Sequence, residues 1–233
     1  MSTASAIPAV PWSSPGSRWS LRPRTLAVLV VGLWLFATGE ALLVASTIGN
    51  SPWAVLAQGI DRHSPLTIGA ATFAVSAVIL LLWIPLRERV GVGTILNAIV
   101  IAVGMDVMLQ VLPTPGSFGG QLAQVVAGVL VLAVGSALYL TADLGPGPRD
   151  GLMTGLHRRF GWRIAVVRTG LELSALSLGW LLGGRVGIGT VIFAAGVGPA
   201  LALVLTGLRR LYGTADAALP RGERRPVEPA GEV

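Results

Sequence analysis

Six long apolar stretches dominate this sequence and restrict its fold more than any other feature. They run over residues 25–46, 67–86, 90–112, 122–142, 164–182 and 186–208. Each approaches the roughly 20 residues that an α-helix needs to cross a lipid bilayer. Because a helix satisfies its own backbone hydrogen bonds in lipid, the simplest interpretation is an all-α membrane protein with six transmembrane helices.

The composition of the chain agrees with a membrane protein. Hydrophobic residues make up 53% of its 233 residues and charged residues only 12%, whereas about a quarter of the residues in a typical soluble domain are charged. The chain has no cysteine, which excludes disulfides, thiolate nucleophiles and cysteine-based metal sites. Both histidines fall in loops without metal-ligating neighbours in sequence, and no Ser/His/Asp grouping is evident. We therefore predict no metal site, no cofactor and no enzymatic centre.

The arginines predict how the chain is oriented in the membrane. All 17 of its lysine or arginine residues are arginine. With the N-terminus in the cytoplasm, fourteen lie on the cytoplasmic side, Arg62 and Arg185 lie outside, and Arg168 lies within a span. This distribution follows the positive-inside rule. We interpret the arginines as topological anchors, expect no nucleic-acid partner, and predict a cytoplasmic-membrane protein with both termini in the cytoplasm.

Two motifs recur in the second half of the chain at an offset of 96 residues. "IGNSPWAVLAQGI" at 48–60 corresponds to "LGPGPRDGLMTGL" at 144–156, and "RVGVGT" at 89–94 corresponds to "RVGIGT" at 185–190. Each half contains three spans, and this odd number predicts that the second half lies inverted relative to the first. Inverted repeats are a known transporter architecture, with binding sites near the repeat interface. The glycines of RVGxGT lack the complete G-x-G-x-x-G pattern of a nucleotide-binding loop, so we interpret them as residues for close helix packing.

These features divide the chain into five segments. We predict a disordered cytoplasmic tail at 1–24, a first membrane repeat at 25–112, an extracytoplasmic loop at 113–121, a second membrane repeat at 122–210 and a disordered basic cytoplasmic tail at 211–233. The first tail is rich in Ser, Pro and Arg and the last in Pro and Arg, and both lack long apolar runs, which is typical of disorder.

Each repeat contains a Gly/Pro motif with the chemistry of a helix start. The motif residues are Gly49, Pro52, Gly145 and Pro148. Proline is favoured at the first helical position, after a capping residue such as Asn50 or Ser51 in the first motif and Gly147 in the second. The run after each proline is too short to span a bilayer. It predicts either a re-entrant half-helix, whose N-terminus suits an anion, or a helix lying at the membrane surface.

Charges within the spans are informative because burying a charge in lipid is costly. Arg168 and Glu172 are four residues apart on the fifth span, so they share one helix face and are expected to form an ion pair or to hold a substrate group. Asp106 in the third span is expected either to pair with Arg168 or to carry protons or cations. Glu40 lies near the outer end of the first span, where we expect it to reach water.

The second Gly/Pro motif adds two charges at its helix start. Asp150 falls in the first turn, where a carboxylate complements the helix dipole. Arg149 is expected either to hold an anionic substrate or to anchor lipid phosphates. The candidate binding residues are therefore Asp106, Arg149, Asp150, Arg168 and Glu172.

The Gly/Pro motifs and the paired RVGxGT segments resemble the YczE-type proteins of the wider YitT/YczE group of bacterial integral membrane proteins. The resemblance covers about residues 31–210. It implies a multi-pass protein of a bacterial membrane. It implies no functional residues, because the biochemical role of that group is mostly not established.

Three functions remain open at this point. The favoured one is a transporter of a small anionic or cationic solute, in which the charged residues converge on one cavity. The second is a non-transporting accessory or scaffold protein that assists another membrane or biosynthetic protein, in which the charges pair off without a connected cavity. The third is an intramembrane enzyme, against which the lack of a nucleophile–base grouping counts. Besides the bilayer and a solute, the expected partners are a second copy of the chain or another membrane protein.

Overall fold

The computed structural model describes residues 7–14 and 17–217, the last five by their backbone alone, and within them the chain is helical. The eight helices of this part are α1 Pro23–Ser46, α2 Pro52–Asp61, α3 Ile68–Leu86, α4 Val92–Val111, α5 Phe118–Ala142, α6 Pro148–Phe160, α7 Ile164–Leu181 and α8 Ile188–Ala217. Six of them, all except α2 and α6, are long and apolar enough to cross a membrane. The prediction of an all-α protein with six candidate membrane spans is therefore confirmed.

The helix starts recur at the same offset as the sequence motifs. Helices α2 and α6 begin at Pro52 and Pro148, α3 and α7 begin at Ile68 and Ile164, and α4 and α8 begin at Val92 and Ile188. Each of these pairs is separated by 96 positions. The two halves of the described chain therefore share one order of elements, which is a long helix, a short helix and two further long helices.

The two short helices begin as their Gly/Pro motifs predict. Ser51 is the N-cap of α2, and its hydroxyl accepts a hydrogen bond from the Ala54 amide. Gly147 is the N-cap of α6, and a proline follows each cap. With 10 and 13 residues, the two helices extend about 15–20 Å. A bilayer core is about 30 Å thick, so neither helix can cross it alone.

The centre of the bundle is the antiparallel contact between α1 and α5. Its helices approach closely because glycines face each other across the contact. A Cβ added at Gly39 would lie 2.6 Å from the Cβ of Leu132 and 2.7 Å from the carbonyl oxygen of Gly128. A Cβ added at Gly135 would lie 2.6 Å from the carbonyl oxygen of Gly32. Helix association in lipid depends on such van der Waals packing, which favours small residues at the contact.

Two irregular segments interrupt the helices inside the bundle. We call residues 47–51, between α1 and α2, the first break, and residues 143–147, between α5 and α6, the second break. Each break binds the RVGxGT segment of the other half. The Gly93 amide donates to the Leu144 carbonyl over 2.9 Å, and the Gly189 amide donates to the Ile48 carbonyl over 2.9 Å. The two halves are thus joined by reciprocal backbone hydrogen bonds.

Glycine is required at these junctions. Gly49 and Gly145 have φ angles of 128° and 110°, which disfavour residues with a Cβ. A Cβ at Gly49 would also lie 2.7 Å from the Gly187 nitrogen, and one at Gly91 would overlap the Leu144 carbonyl. The interpretation of the RVGxGT glycines as close-packing residues is therefore confirmed.

The structure differs from the predicted segments in three places. The disordered-tail prediction for 1–24 is wrong for residues 7–14 and 17–22, because they pack on the bundle. Trp12 donates its indole N–H to Thr141 over 3.1 Å, and the Ser14 amide donates to the Ala142 carbonyl. The predicted loop 113–121 is shorter, because Ser117 caps α5. The boundary at 210 is wrong, because α8 continues to Ala217. Residues 1–6, 15–16 and 218–233 lie outside the described residues.

The two halves differ in how their last two helices pack. Helix α3 packs along α4, where Gly69 lies against Ala102. Helix α7 does not pack along α8, although α3 and α7 both pack against the two short helices α2 and α6. As a result, the side of the bundle between α7 and α8 is less closed than the equivalent side between α3 and α4.

We expect Gly39→Ala to lower the free energy of unfolding by about 1–3 kcal/mol, because the added methyl overpacks the α1–α5 contact. Gly170→Ala in α7 is the matched control, since no heavy atom lies within 4 Å of a Cβ built there. Both variants gain the same helix propensity from alanine, so their difference reports packing. Thermal unfolding of each purified variant in detergent measures this difference in stability. Equal stability of the two variants would contradict close packing of α1 against α5 at Gly39.

Candidate functional site

A cavity of about 260 Å³ lies where the N-terminal ends of α2 and α6 approach each other. Side chains from all eight described helices line it, together with the two N-caps. This volume is just below the roughly 300–1,000 Å³ of typical ligand sites, which suits a small solute. Its location between elements of both halves makes it the leading candidate for a functional site.

Most of the lining consists of equivalent positions from the two halves. The pairs separated by 96 residues are Phe36 and Leu132, Glu40 and Ser136, Ser51 and Gly147, Trp53 and Arg149, Thr72 and Arg168, Ser76 and Glu172, Asn97 and Phe193, and Ile101 and Val197. In four of these pairs, one member is charged and its counterpart is neutral. The halves therefore share the shape of the cavity but contribute different chemistry to it.

Arg149 joins the two short helices across the cavity. Its guanidinium carbon lies 4.8 Å from the centroid of the Trp53 ring, within range of a cation–π interaction. Trp53 and Arg149 are equivalent residues, each directly after the first proline of its helix. Arg149 thus lies in the cavity lining, and its role in binding stays a prediction.

Tyr139 on α5 connects α6 to the cavity through a pair of hydrogen bonds. Its hydroxyl donates to the Asp150 carboxylate over 2.6 Å and accepts from the Gly147 amide over 2.8 Å. Gly147 is the N-cap of α6, so the phenol accepts from the N-cap's own amide, as the N3 side chain does in a capping box. Asp150 lies in the first turn of α6, as predicted, and one of its carboxylate oxygens accepts the hydrogen bond from Tyr139.

Glu40 occupies the corresponding place at the start of α2. Only 3% of the residue is exposed, and the Ser51 hydroxyl donates to its carboxylate over 2.6 Å. The expectation that Glu40 reaches water is wrong, because the first break folds the start of α2 back onto α1. Each short helix thus has a carboxylate near its N-terminus, where the helix dipole favours negative charge. The two carboxylates come from non-equivalent positions, since Glu40 corresponds to Ser136 and Asp150 to Ala54.

Arg168 and Glu172 form the part of the lining that α7 contributes. The Arg168 Nε donates to the Glu172 carboxylate over 3.0 Å, so the predicted ion pair is confirmed. Both side chains are partly exposed, at 56% and 37%. They lie on the side of the cavity where α7 does not pack along α8, and their positions correspond to Thr72 and Ser76 on α3.

Asp106 lies away from the cavity, contrary to its selection as a binding residue. Its carboxylate accepts from the Thr67 hydroxyl over 2.6 Å and from the Gly69 amide over 2.8 Å. It also does not pair with Arg168. The carboxylate caps the N-terminus of α3, whose first amides have no acceptor within their own helix.

The Gly/Pro motif residues support the cavity rather than supply its charges. Pro52 lines it directly, and Gly49 and Gly145 allow the two breaks to turn. The Pro148 carbonyl accepts a hydrogen bond from the buried Trp83 indole over 3.0 Å, which fixes the start of α6 against α3.

We expect Tyr139→Phe to lower the free energy of unfolding by about 1–3 kcal/mol, because it leaves a buried amide without an acceptor. The same substitution should cost less in an Asp150→Ala background, since one of the two hydrogen bonds is then already lost. Tyr212→Phe is the matched control, because the second tyrosine of the chain contacts Trp12 through its ring. Additive effects of Tyr139→Phe and Asp150→Ala would show that the two side chains are not coupled.

Comparison with known proteins extends the resemblance seen in the sequence. A protein of Haemophilus influenzae described as an uncharacterized protein is 41% identical over 88% of this chain and 94% of its own length. The uncharacterized membrane protein YczE of Bacillus subtilis is 32% identical over 82% of each chain. The uncharacterized protein YyaS of the same organism is 24% identical over 70% of this chain and 83% of its own length. No solved structure matches the chain.

These similarities agree with the six long apolar helices and confirm a multi-pass integral membrane protein of the YczE type, in contact with the lipid bilayer. The family model that matches covers residues 23–206, from the start of α1 into the second half of α8. It therefore includes both breaks, both RVGxGT segments and the whole lining of the cavity. By this match the chain belongs to the family of unknown function DUF6198.

Proposed function

We propose that this protein is a permease-like transporter of a small charged solute, and that the cavity between its two halves is the binding site. The observation that carries the proposal is the lining by equivalent positions from both halves around the starts of two short helices. Transporters with internal repeats place their sites at the repeat interface in this way.

The proposal includes an inverted arrangement of the halves in the membrane. The antiparallel packing of α1 against its equivalent α5 supports it. The hydrogen bonds of the breaks support it further, since α4 begins beside the second break and α8 begins beside the first. Equivalent helices would then run in opposite directions across the bilayer, and rocking of one half against the other would expose the cavity to alternate sides.

We further propose that α2 and α6 are re-entrant half-helices. Their first turns lie inside the bundle, where Asn50, Ser51, Pro52 and Pro148 are buried. A helix lying at the membrane surface would not bury its N-terminus in this way. The positive dipole ends of both helices then lie at the cavity.

The charges of the cavity indicate the class of solute. Arg149 and the two helix starts favour an anionic group. Glu40 and Asp150 lie beside the same helix starts and favour a cationic group. We therefore propose a small solute that carries an anionic group, bound together with a positive group of its own or with a coupled cation.

Thiol labelling tests the proposal, because the chain has no cysteine of its own. We expect single cysteines at Ser76 and Ser136 to react with membrane-impermeant thiol reagents. These positions line the cavity from different halves and are only 5% and 6% exposed, so their reaction requires the cavity to open. Ser174→Cys is the matched control, since that serine is exposed on α7 and does not line the cavity. In the proposed arrangement we expect it to face lipid, which excludes the charged reagent.

The side from which labelling occurs decides between the candidate functions. Reaction of each cavity position from both sides of sealed vesicles supports alternating access. Reaction from one side only, or complete protection of both positions, contradicts transport and favours the accessory-protein function. Labelling of Ser174→Cys to the same extent would show that the reagent reports surface exposure rather than the cavity.

A further inference from the structure

We propose that a second cleft, at the end of the bundle where α3 ends and α6 ends, binds a phosphate-bearing anion. The cleft has a volume of about 510 Å³ and lies apart from the cavity. Its lining is Arg18, Leu86, Arg87, Glu88, Arg89, Arg158 and Arg159. The ligand class is the phosphate group itself, supplied either by the headgroup of an anionic phospholipid or by phosphate in solution.

The charge of the cleft is strongly one-sided. Among the described residues that line it, five are arginines and one is a carboxylate. That carboxylate, Glu88, is only 7% exposed and forms an ion pair with Arg158. The remaining arginines surround a space with no further acidic residue in its described lining. Guanidinium groups match phosphate oxygens with paired hydrogen bonds, so such a cluster suits a phosphate.

Three separate segments are folded together to build the cleft. Arg18 comes from the N-terminal segment, Arg87 to Arg89 connect α3 to α4, and Arg158 and Arg159 end α6. Arg18 donates to the Arg89 carbonyl over 3.1 Å, and its own carbonyl accepts from the Val92 amide over 3.0 Å. Arginines that serve only as topological anchors need no such arrangement, because any exposed position on the correct side suffices.

The backbone conformation of Arg87 supports the proposal independently of the charge of the cleft. It has a φ angle of 55°, in the left-handed region where a residue with a Cβ is strained. Its equivalent in the second half, 96 positions later, is Gly183 with a φ angle of 81°. The backbone at this position therefore suits glycine, yet the first half places an arginine there. Arg87 is the C-cap of α3, a position at which glycine is the least strained residue, so the arginine there is retained at a cost.

The other half repeats the cluster only in part. Arg158 and Arg89 correspond to Arg62 and Arg185, whereas Arg87, Glu88 and Arg159 correspond to Gly183, Gly184 and His63. The full set of arginines is thus a feature of this end of the bundle and not of the shared fold. The position of the cleft at the ends of membrane-length helices favours a lipid headgroup, since basic pockets between membrane helices are known sites for anionic headgroups.

The test compares the full chain in nanodiscs of phosphatidylcholine with the chain in nanodiscs that also contain phosphatidylglycerol. We expect the anionic lipid to raise the midpoint of thermal unfolding by several degrees and to remain bound in native mass spectrometry. Arg87→Gly and Arg159→Ala should each remove most of this shift. Arg87→Gly also relieves the strained backbone, so its stability in phosphatidylcholine should be unchanged or higher, and a lost shift cannot reflect misfolding.

Arg209→Ala is the matched control, because Arg209 is an exposed arginine of α8 outside the cleft. It should keep the full response to phosphatidylglycerol. A third arm adds inorganic phosphate to the phosphatidylcholine nanodiscs. A shift that depends on Arg87 and Arg159 in this arm assigns the site to free phosphate, and one seen only with phosphatidylglycerol assigns it to the lipid. The proposal would be overturned if Arg209→Ala lost the unfolding shift to the same extent as the cleft variants. It would also be overturned if neither phosphatidylglycerol nor inorganic phosphate raised the unfolding midpoint.

Discussion

A helix that ends inside a bundle of apolar helices frees backbone groups that need hydrogen-bond partners, and the fold depends on where those groups find them. The first break leaves the Ile48 carbonyl without a helical partner, and the second leaves Leu144. The amides of Gly189 and Gly93 satisfy them, each from the opposite half. Because neither half can satisfy its own break in this way, each half needs the other to keep its short helix inside the bundle. The glycine-rich segments are therefore as essential to the cavity as its charged lining.

The cavity follows from these reciprocal hydrogen bonds between the two halves. Once both breaks are satisfied, α2 and α6 begin within the bundle and direct their N-termini toward each other, where Trp53 and Arg149 meet. The shared backbone then carries different side chains in the two halves. On α3, Trp83 packs over Gly151 of α6, whereas on α7 the equivalent position is Gly179, which lies against the α2 backbone. A large residue on α3 faces a glycine on α6, whereas a glycine on α7 faces the backbone of α2. The two halves therefore keep the same helix arrangement with different side chains at equivalent contacts.

The sequence predicted the parts of this structure that depend on local chemistry. The helix starts at Pro52 and Pro148 and the Arg168–Glu172 pair follow from residue spacing alone. The errors concern contacts between distant segments. Glu40 is buried because α2 folds back onto α1, and Asp106 caps α3 because the end of α4 lies beside it. The N-terminal segment has the composition of a disordered tail, yet Trp12 and Ser14 find partners at the end of α5. None of these contacts leaves a periodic signal in the sequence.

The asymmetry between the halves has a direct consequence for access to the cavity. Where α3 packs along α4, the lining residues are the neutral Thr72 and Ser76. Where α7 does not pack along α8, the equivalent positions are Arg168 and Glu172, which pair with each other and remain partly exposed. An ion pair next to lipid is costly unless water or polar groups reach it. The neutral pair lies on the side of the cavity that α3 and α4 close. The charged pair lies on the less closed side, where water or a polar solute that reached it would lower the cost of placing these charges near lipid.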